Sequence, residues 1–200
     1  MAVTLYSAAA RDLAARSGVP LEEERLQWAV NNLKPTLRAM TAGFFADAFR
    51  GLIMGTGNGV EYFLGYFSIR GDGLSDRQPI RDCTKAEVRD LASEAGLPDD
   101  LVNRVPTAGL WPGQTDEGEL GFSYAEADRF LVWLLERHLA TPVFSTTLTV
   151  REEAVEAVLS DATLPVDPDV ARRIIAQNRR TEFKRRAGDL ELLLQQRGLK

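Results

Sequence analysis

The chain has 200 residues, 44% hydrophobic and 26% charged, the balance of a water-soluble domain long enough to bury one sizeable core. A net charge of -5 excludes the surplus of Lys and Arg that grips phosphate backbones, so DNA and RNA are not expected partners. Cys83 is the lone cysteine, which excludes an intrachain disulfide and a thiolate metal cluster and fits a reducing cytoplasm.

The N-terminal run from Leu5 to Arg16 spaces its apolar residues as a helix does, and Gly18 with Pro20 stops it. Arg11, Asp12 and Arg16 interrupt the alanines, so this is no signal-peptide core, and no run approaches the roughly 20 apolar residues that span a bilayer. Leu21 to Trp28 reads as a second helical segment. Leu37 to Phe49 follows, with Leu37, Met40, Phe44, Phe45 and Ala48 at helical spacing. Gly51-Leu-Ile-Met-Gly55 has the pattern of a strand buried on both faces, as in a parallel sheet covered by helices. Thr56 to Gly59 would then be the loop at its carboxyl end, where open α/β sheets bind ligands. A helix is expected from Glu61 to Tyr66. Another begins at the capping box Thr84-Lys-Ala-Glu87, runs to Ala95 and stops at Gly96. Pro106 to Gly121 is a long segment of loop composition. Helices resume at Ser123 to His138, Val150 to Leu159 and Pro168 to Arg186, followed by a polar tail; no internal repeat is present.

Common hydrolase layouts are missing: there is no Gly-x-Ser-x-Gly, and His138, the only histidine, sits in a last helical turn where a solvent-facing side chain is expected. Arg70-Gly71-Asp72 is not read as a cell-adhesion tripeptide in a chain of cytoplasmic character. Between Gly55 and Lys85, however, Gly, Thr, Asp, Glu and Lys are concentrated at the expected strand end and beyond it. Amides of a Gly-rich loop approach anionic oxygens closely, Thr56 can bond a polar edge, Glu61 can ligate Mg²⁺ and Lys85 can neutralise a phosphate. The same residues serve as a tight turn and a first-turn acid, and their chemistry alone does not choose.

Gly55-Thr-Gly-Asn58, Glu61, Gly65-Tyr-Phe67, Gly71-Asp-Gly73, Asp76, Pro79-Ile80, Thr84-Lys85, Pro106-Thr-Ala-Gly-Leu-Trp111, Gly113-Gln-Thr-Asp-Glu117, Glu119-Leu-Gly121 and Tyr124 resemble, in order and spacing, the motif series of NAD synthetases. The resemblance extends from Asn32-Leu-Lys34 and Arg38 to Thr181-Glu182 and Lys184-Arg-Arg186. It implies one NAD synthetase-like domain over 1–200, with a divergent helical lead-in at 1–30, a family-like region at 31–187 and a tail at 188–200. It also implies an α/β, Rossmann-like adenine nucleotide alpha hydrolase fold with a parallel sheet, truncated at its N-terminus, and a homodimer. The implied reaction is ATP-dependent amidation of deamido-NAD with ammonia: the nicotinate carboxylate takes AMP from ATP, then ammonia displaces it. Thr56, Lys85 and Thr107 match ATP-contacting positions, Glu61 a Mg²⁺ ligand, and Asp76 and Lys184 positions contacting deamido-NAD. Residues 106–117 match a mobile segment covering the site.

The family's Ser-Gly-Gly-x-Asp-Ser loop does not occur in these residues, and those preceding Asn32 are too few for a strand-helix-strand unit of ~30 residues or more. Half of the ATP site is therefore expected from elsewhere in a longer chain or from a separate N-terminal half. Thr36 stands where the family usually has an Arg contacting the dinucleotide, Gly59 replaces a common Lys, Ile69 a substrate-contacting Lys, and Phe183 a His. A non-catalytic nucleotide-binding or regulatory module and an adenylating amidase of another carboxylate are the competing expectations. The basic run of Arg172, Arg173, Arg179, Arg180, Lys184, Arg185 and Arg186 is otherwise read as a solvated helix face.

Overall fold

The computed structural model describes residues 2–139 and 154–185. The first residues of the helix expected from Val150, Arg186 and the tail at 188–200 lie outside them. Among the described residues the elements are helices, and the chain divides into two compact units: Met1–Gly55 with Ser68–Arg77 and Gly109–Gln114, and Thr56–Phe67 with Gln78–Ala108 and Thr115–Lys200.

In the first unit, helix α1 (Ala2–Ser17) and helix α2 (Glu23–Phe49) are joined by a fork in which Arg11 Nε and Nη2 donate to Glu23 at 3.0–3.2 Å. The two helical segments expected at 21–28 and 37–49 are one helix that runs through Pro35. Proline removes one backbone donor, but the Pro35 ring is buried, while Thr36 Oγ1 donates to the Asn32 carbonyl at 2.8 Å and Asn32 Nδ2 to the Trp28 carbonyl at 3.0 Å. Arg50 ends α2 at φ 53°, and the Gly51 amide returns to the Ala46 carbonyl at 2.8 Å.

The parallel sheet and the Rossmann-like fold built on it are overturned here. Gly51 to Gly55 forms no strand; it makes one isolated parallel bridge, Met54 to Arg77. Around it the Asp76 amide donates to the Ile53 carbonyl at 2.9 Å and the Gly55 amide to the Arg77 carbonyl at 2.7 Å. A sheet interior demands hydrogen-bonded neighbours and covered faces. Among the described residues no further extended segment pairs with this one, and Leu52 and Met54 stay 63% and 55% exposed.

The second unit holds the apolar core. Helix α3 (Gly59–Leu64) contributes Val60, Phe63 and Leu64, and helix α7 (Tyr124–Glu136) contributes Tyr124, Ala127, Phe130, Leu131, Trp133 and Leu134. Helix α8 (Val155–Leu159) and helix α9 (Pro168–Arg180) close it with Val158, Leu159, Ala171, Ile174 and Ile175. Each fully buried side chain of this size contributes about 1.5–3 kcal/mol against remaining in water, so these four helices carry the unit. Helix α4 (Lys85–Glu94) has the expected Thr84–Glu87 capping box and passes through Ala95 to Gly96 at φ 74°. The short helices α5 (Asp99–Val102) and α6 (Asp116–Leu120) follow, so the long segment read as loop is partly helical. The helix expected from Pro168 to Arg186 is broken at Thr181, after which α10 (Glu182–Arg185) continues. At the break Thr181 Oγ1 donates to the Leu64 carbonyl at 2.9 Å.

Candidate functional site

The site grows from the two neighbouring N-termini of α3 and α4. Asn58 caps α3: its Oδ1 accepts from the Glu61 amide at 3.0 Å and Glu61 Oε2 accepts from the Asn58 amide at 3.0 Å, a complete capping box. Gly59 donates its amide to the Cys83 carbonyl at 2.8 Å, and a Cβ at residue 59 would lie 2.9 Å from the Arg81 carbonyl oxygen. Glycine at this position therefore lets the segment leading into α4 lie directly against α3. Asp128 of α7 holds the first turn of α4 by accepting from the amides of Lys85 and Ala86 at 3.0 and 2.9 Å. Burial pushes the Asp128 carboxyl up from its ordinary value, and the two amide bonds oppose that shift.

This framing brings Lys85 Nζ to 3.2 Å from Glu61 Oε1, a pair whose side chains are only 20% and 17% exposed. Lys85 Nζ also stands 5.0 Å from the centre of the Tyr124 ring, a cation–π placement. The Tyr124 hydroxyl lies 3.1 Å from Asp116 Oδ2 and 3.4 Å from Glu61 Oε1. The Tyr66 hydroxyl lies 3.2 Å from Asp116 Oδ1 and 2.9 Å from Glu119 Oε2. Burial, followed by the neighbouring carboxylates, pushes both phenols well above the usual tyrosine range, so both hold their protons. Three carboxylates, two phenols and one ammonium thus form a continuous polar cluster.

Of the six residues picked from the sequence, Glu61 and Lys85 meet directly. Thr107 is exposed, between Pro106, whose carbonyl accepts the Asp116 amide at 3.0 Å, and Ala108, whose amide donates to Asp116 Oδ1 at 3.1 Å. Thr56 is exposed two residues before the Asn58 cap. Lys184 donates to the carbonyls of Gly65 and Phe67 at 2.8 and 2.7 Å, at the end of α3. Asp76 belongs to the other unit, where its Oδ2 accepts the Ile53 amide at 2.8 Å. His138 is exposed at φ 54° at the end of α7. Asp128 is not singled out by the sequence, and Tyr66, Asp116 and Tyr124 have only places in its motifs. Their signal was weak because an acid in a first turn and a tyrosine in an apolar helix have ordinary structural uses.

Both oxygens of Glu61 already accept hydrogen bonds, Oε2 from the Asn58 amide and Oε1 from Lys85, and no group of three or more His, Cys, Asp or Glu gathers as a metal cluster among the described residues. One carboxylate is nevertheless enough for Mg²⁺ when water and substrate phosphates complete the octahedron. No described helix is long and apolar enough to cross a membrane.

A largely buried ion pair stands between the N-termini of α3 and α4, beside a Gly-rich turn. The family described as NAD synthase matches residues 9–188, so the chain belongs to the NAD synthase family. It is 44% identical over 117 residues to the NH(3)-dependent NAD(+) synthetase of Carboxydothermus hydrogenoformans, covering 58% of this chain and 47% of that protein. Against the NH(3)-dependent NAD(+) synthetase of Methanopyrus kandleri it is 39% identical over 156 residues, covering 78% of this chain and 51% of that protein. The solved structure of NMN synthetase from Francisella tularensis superposes with a TM-score of 0.61 at 27% identity, over 90% of this chain and 61% of that one. The chain spans about half the length of the curated relatives it matches.

Proposed function

We propose that this chain supplies the Lys85–Glu61 part of an ammonia-dependent NAD synthetase, which amidates deamido-NAD to NAD at the expense of ATP. The carrying observation is the largely buried pair of Lys85 and Glu61, 3.2 Å apart and bordered by Tyr124. In the first step a nicotinate carboxylate oxygen bonds to the α-phosphorus of ATP and pyrophosphate leaves. Two anions must approach, and Lys85 supplies the positive charge that offsets their repulsion in a poorly solvated setting. In the second step ammonia bonds to the acyl carbon and AMP leaves. Water competes for that carbon, so residues 106–117 serve best as a cover.

Glu61 is the residue that would hold Mg²⁺ together with substrate phosphates, and the ion would supply further neutralisation of phosphate charge. Thr56 and Thr107 contact ATP in this reading, and Asp76 and Lys184 contact deamido-NAD, as subunits of a homodimer in the cytoplasm. The Ser-Gly-Gly-x-Asp-Ser loop comes from a longer chain or from a separate N-terminal half.

A second reading rests on the likeness to the Francisella NMN synthetase: the substrate is the mononucleotide carboxylate. It is favoured by Thr36, whose hydroxyl is held by the Asn32 carbonyl at 2.8 Å and brings no cation toward a second nucleotide.

The test measures AMP and amide product from ATP, Mg²⁺ and ammonia with either carboxylate, with and without an N-terminal family polypeptide carrying the missing loop. Turnover of deamido-NAD supports the first reading, and turnover of the mononucleotide alone supports the second. No turnover by a folded, assembled preparation sinks both and leaves a binding module or an adenylating amidase of another carboxylate.

A further inference from the structure

Asp116 is 6% exposed and lies in the first turn of α6, yet its carboxylate points away from that helix's own amides. The Thr115 hydroxyl takes the capping duty instead, accepting from the Gly118 amide at 3.1 Å. Asp116 is thereby left for three other groups: the Ala108 amide at 3.1 Å and the Tyr66 hydroxyl at 3.2 Å on Oδ1, and the Tyr124 hydroxyl at 3.1 Å on Oδ2. Its own amide reaches the Pro106 carbonyl at 3.0 Å. Both neighbours of Thr107 are therefore tied to this one residue, and Tyr124 is the same side chain that borders Glu61 and underlies Lys85. Removal of a buried acceptor leaves its donors unsatisfied, which is costlier than the bond is worth.

We propose that Asp116 is a positioning residue of this site: it locks the Thr107-bearing segment to Tyr124 and so keeps Thr107 in register with the Glu61–Lys85 pair. The proposal rests on the reading of Thr107, Lys85 and Glu61 as contacts of one nucleotide. Asp116 touches no reacting atom; it acts through Thr107 on one side and through Tyr124 on the other. Asparagine at 116 keeps an acceptor for the Ala108 amide but presents an amide nitrogen in place of one carboxylate oxygen, whereas alanine removes both acceptors.

The experiment compares wild type, Asp116→Ala, Asp116→Asn and Tyr124→Phe by residue-resolved hydrogen exchange and by ATP binding with Mg²⁺. In the assembly that turns over, KM for ATP and for the carboxylate substrate are measured too. Alanine is expected to speed exchange of the Ala108 amide by about tenfold or more while core amides of α7 stay at the wild-type rate, as loss of one charge-assisted bond predicts. KM for ATP rises by about tenfold, KM for the carboxylate substrate stays within about twofold, and asparagine restores part of both effects. Tyr124→Phe raises KM for ATP without speeding exchange at Ala108. Unchanged Ala108 exchange in Asp116→Ala, or equal acceleration across α7, overturns the lock. A faster Ala108 amide in Asp116→Ala together with no ATP binding by wild type assembled with the N-terminal polypeptide that carries the missing loop instead overturns the nucleotide reading, and the positioning role falls with it.

Discussion

The Cβ that Gly65 lacks would stand 2.4 Å from both Cβ and Oγ1 of Thr181. The left-handed cap of α3 at φ 59° and the end of α9 occupy adjoining space only because residue 65 is glycine. Around this contact, side chains from α9 and α10 collect the carbonyls that α3 leaves without helical partners. Asn178 Nδ2 donates to Phe63 at 2.7 Å, Gln177 Nε2 to Leu64 at 3.1 Å, and Arg185 Nη1 to Phe63 at 3.0 Å. Arg185 is itself buried, which lowers its pKa to about 10. Gly65→Ala combines a left-handed alanine, about 1–2 kcal/mol, with overpacking of about 1–3 kcal/mol. Urea unfolding should show a loss of about 2–5 kcal/mol from these two terms. A midpoint equal to wild type would mean that α9 does not pack here.

Glu126 closes the cap of α7, accepting from the Ser123 amide at 2.8 Å and the Ser123 hydroxyl at 2.7 Å. The Ser123 side-chain bond, followed by the backbone bond, holds its carboxyl below the ordinary glutamate value near 4.5. A carboxyl depressed in the folded state contributes stability that is complete above the unfolded value and is lost as pH falls through the folded one. The contribution should therefore fade below about pH 4.5 and amount to no more than a cap's usual worth, about 1 kcal/mol, because the group is only partly buried. Glu126→Gln keeps an acceptor without a titrating proton. Urea titrations from pH 7 to pH 3 should show a shallower acid loss in the variant, and parallel curves would remove Glu126 from the acid limb.

On α2, Trp28, Met40, Phe44, Phe45 and Phe49 are exposed, and Phe45 stacks on Phe49 with ring centres 6.2 Å apart. An aromatic surface left in water drives association. Sedimentation of the chain should show self-association or aggregation, reduced when Phe44→Glu and Phe49→Glu are combined. A monomeric wild type that melts cooperatively would contradict this expectation.

The legible parts of the sequence were those whose information is local. The Thr84–Glu87 box, the stop at Gly96 and the span of α7 need only their own caps and spacing, and all are present. Gly51 to Gly55 needed partners that a run of five residues cannot specify, and it forms a single bridge instead of a strand. Leu21 to Trp28 and Leu37 to Phe49 read as separate segments, but they are one helix through Pro35, whose burial is a tertiary fact. Glu61 and Lys85 were found through their residue types and the motif order. Asp116 lies in the same motif series but had no role there, because its contacts are 50 residues away along the chain at Tyr66 and 8 away at Tyr124.

Glu61 has two separable duties, and substitution can divide them. Its Oε2 completes the cap of α3 at the Asn58 amide, while its Oε1 faces Lys85 at 3.2 Å. Glutamine also completes a capping box, so Glu61→Gln should keep most of the cap while removing the charge opposite Lys85. Glu61→Ala removes both, leaving the Asn58 amide and a four-fifths buried ammonium without their acceptor. The alanine variant should lose about 2–4 kcal/mol, between a lost cap and a broken buried pair, and the glutamine variant about 1 kcal/mol. Their activities should instead be alike: both lose Mg²⁺-dependent adenylation by about a hundredfold or more, the scale of one lost electrostatic contact in a water-poor site. Thermal unfolding and pyrophosphate release, measured on the same preparations, separate the two duties. Activity that tracks stability across the pair would reduce Glu61 to a structural cap and take the metal role away from it.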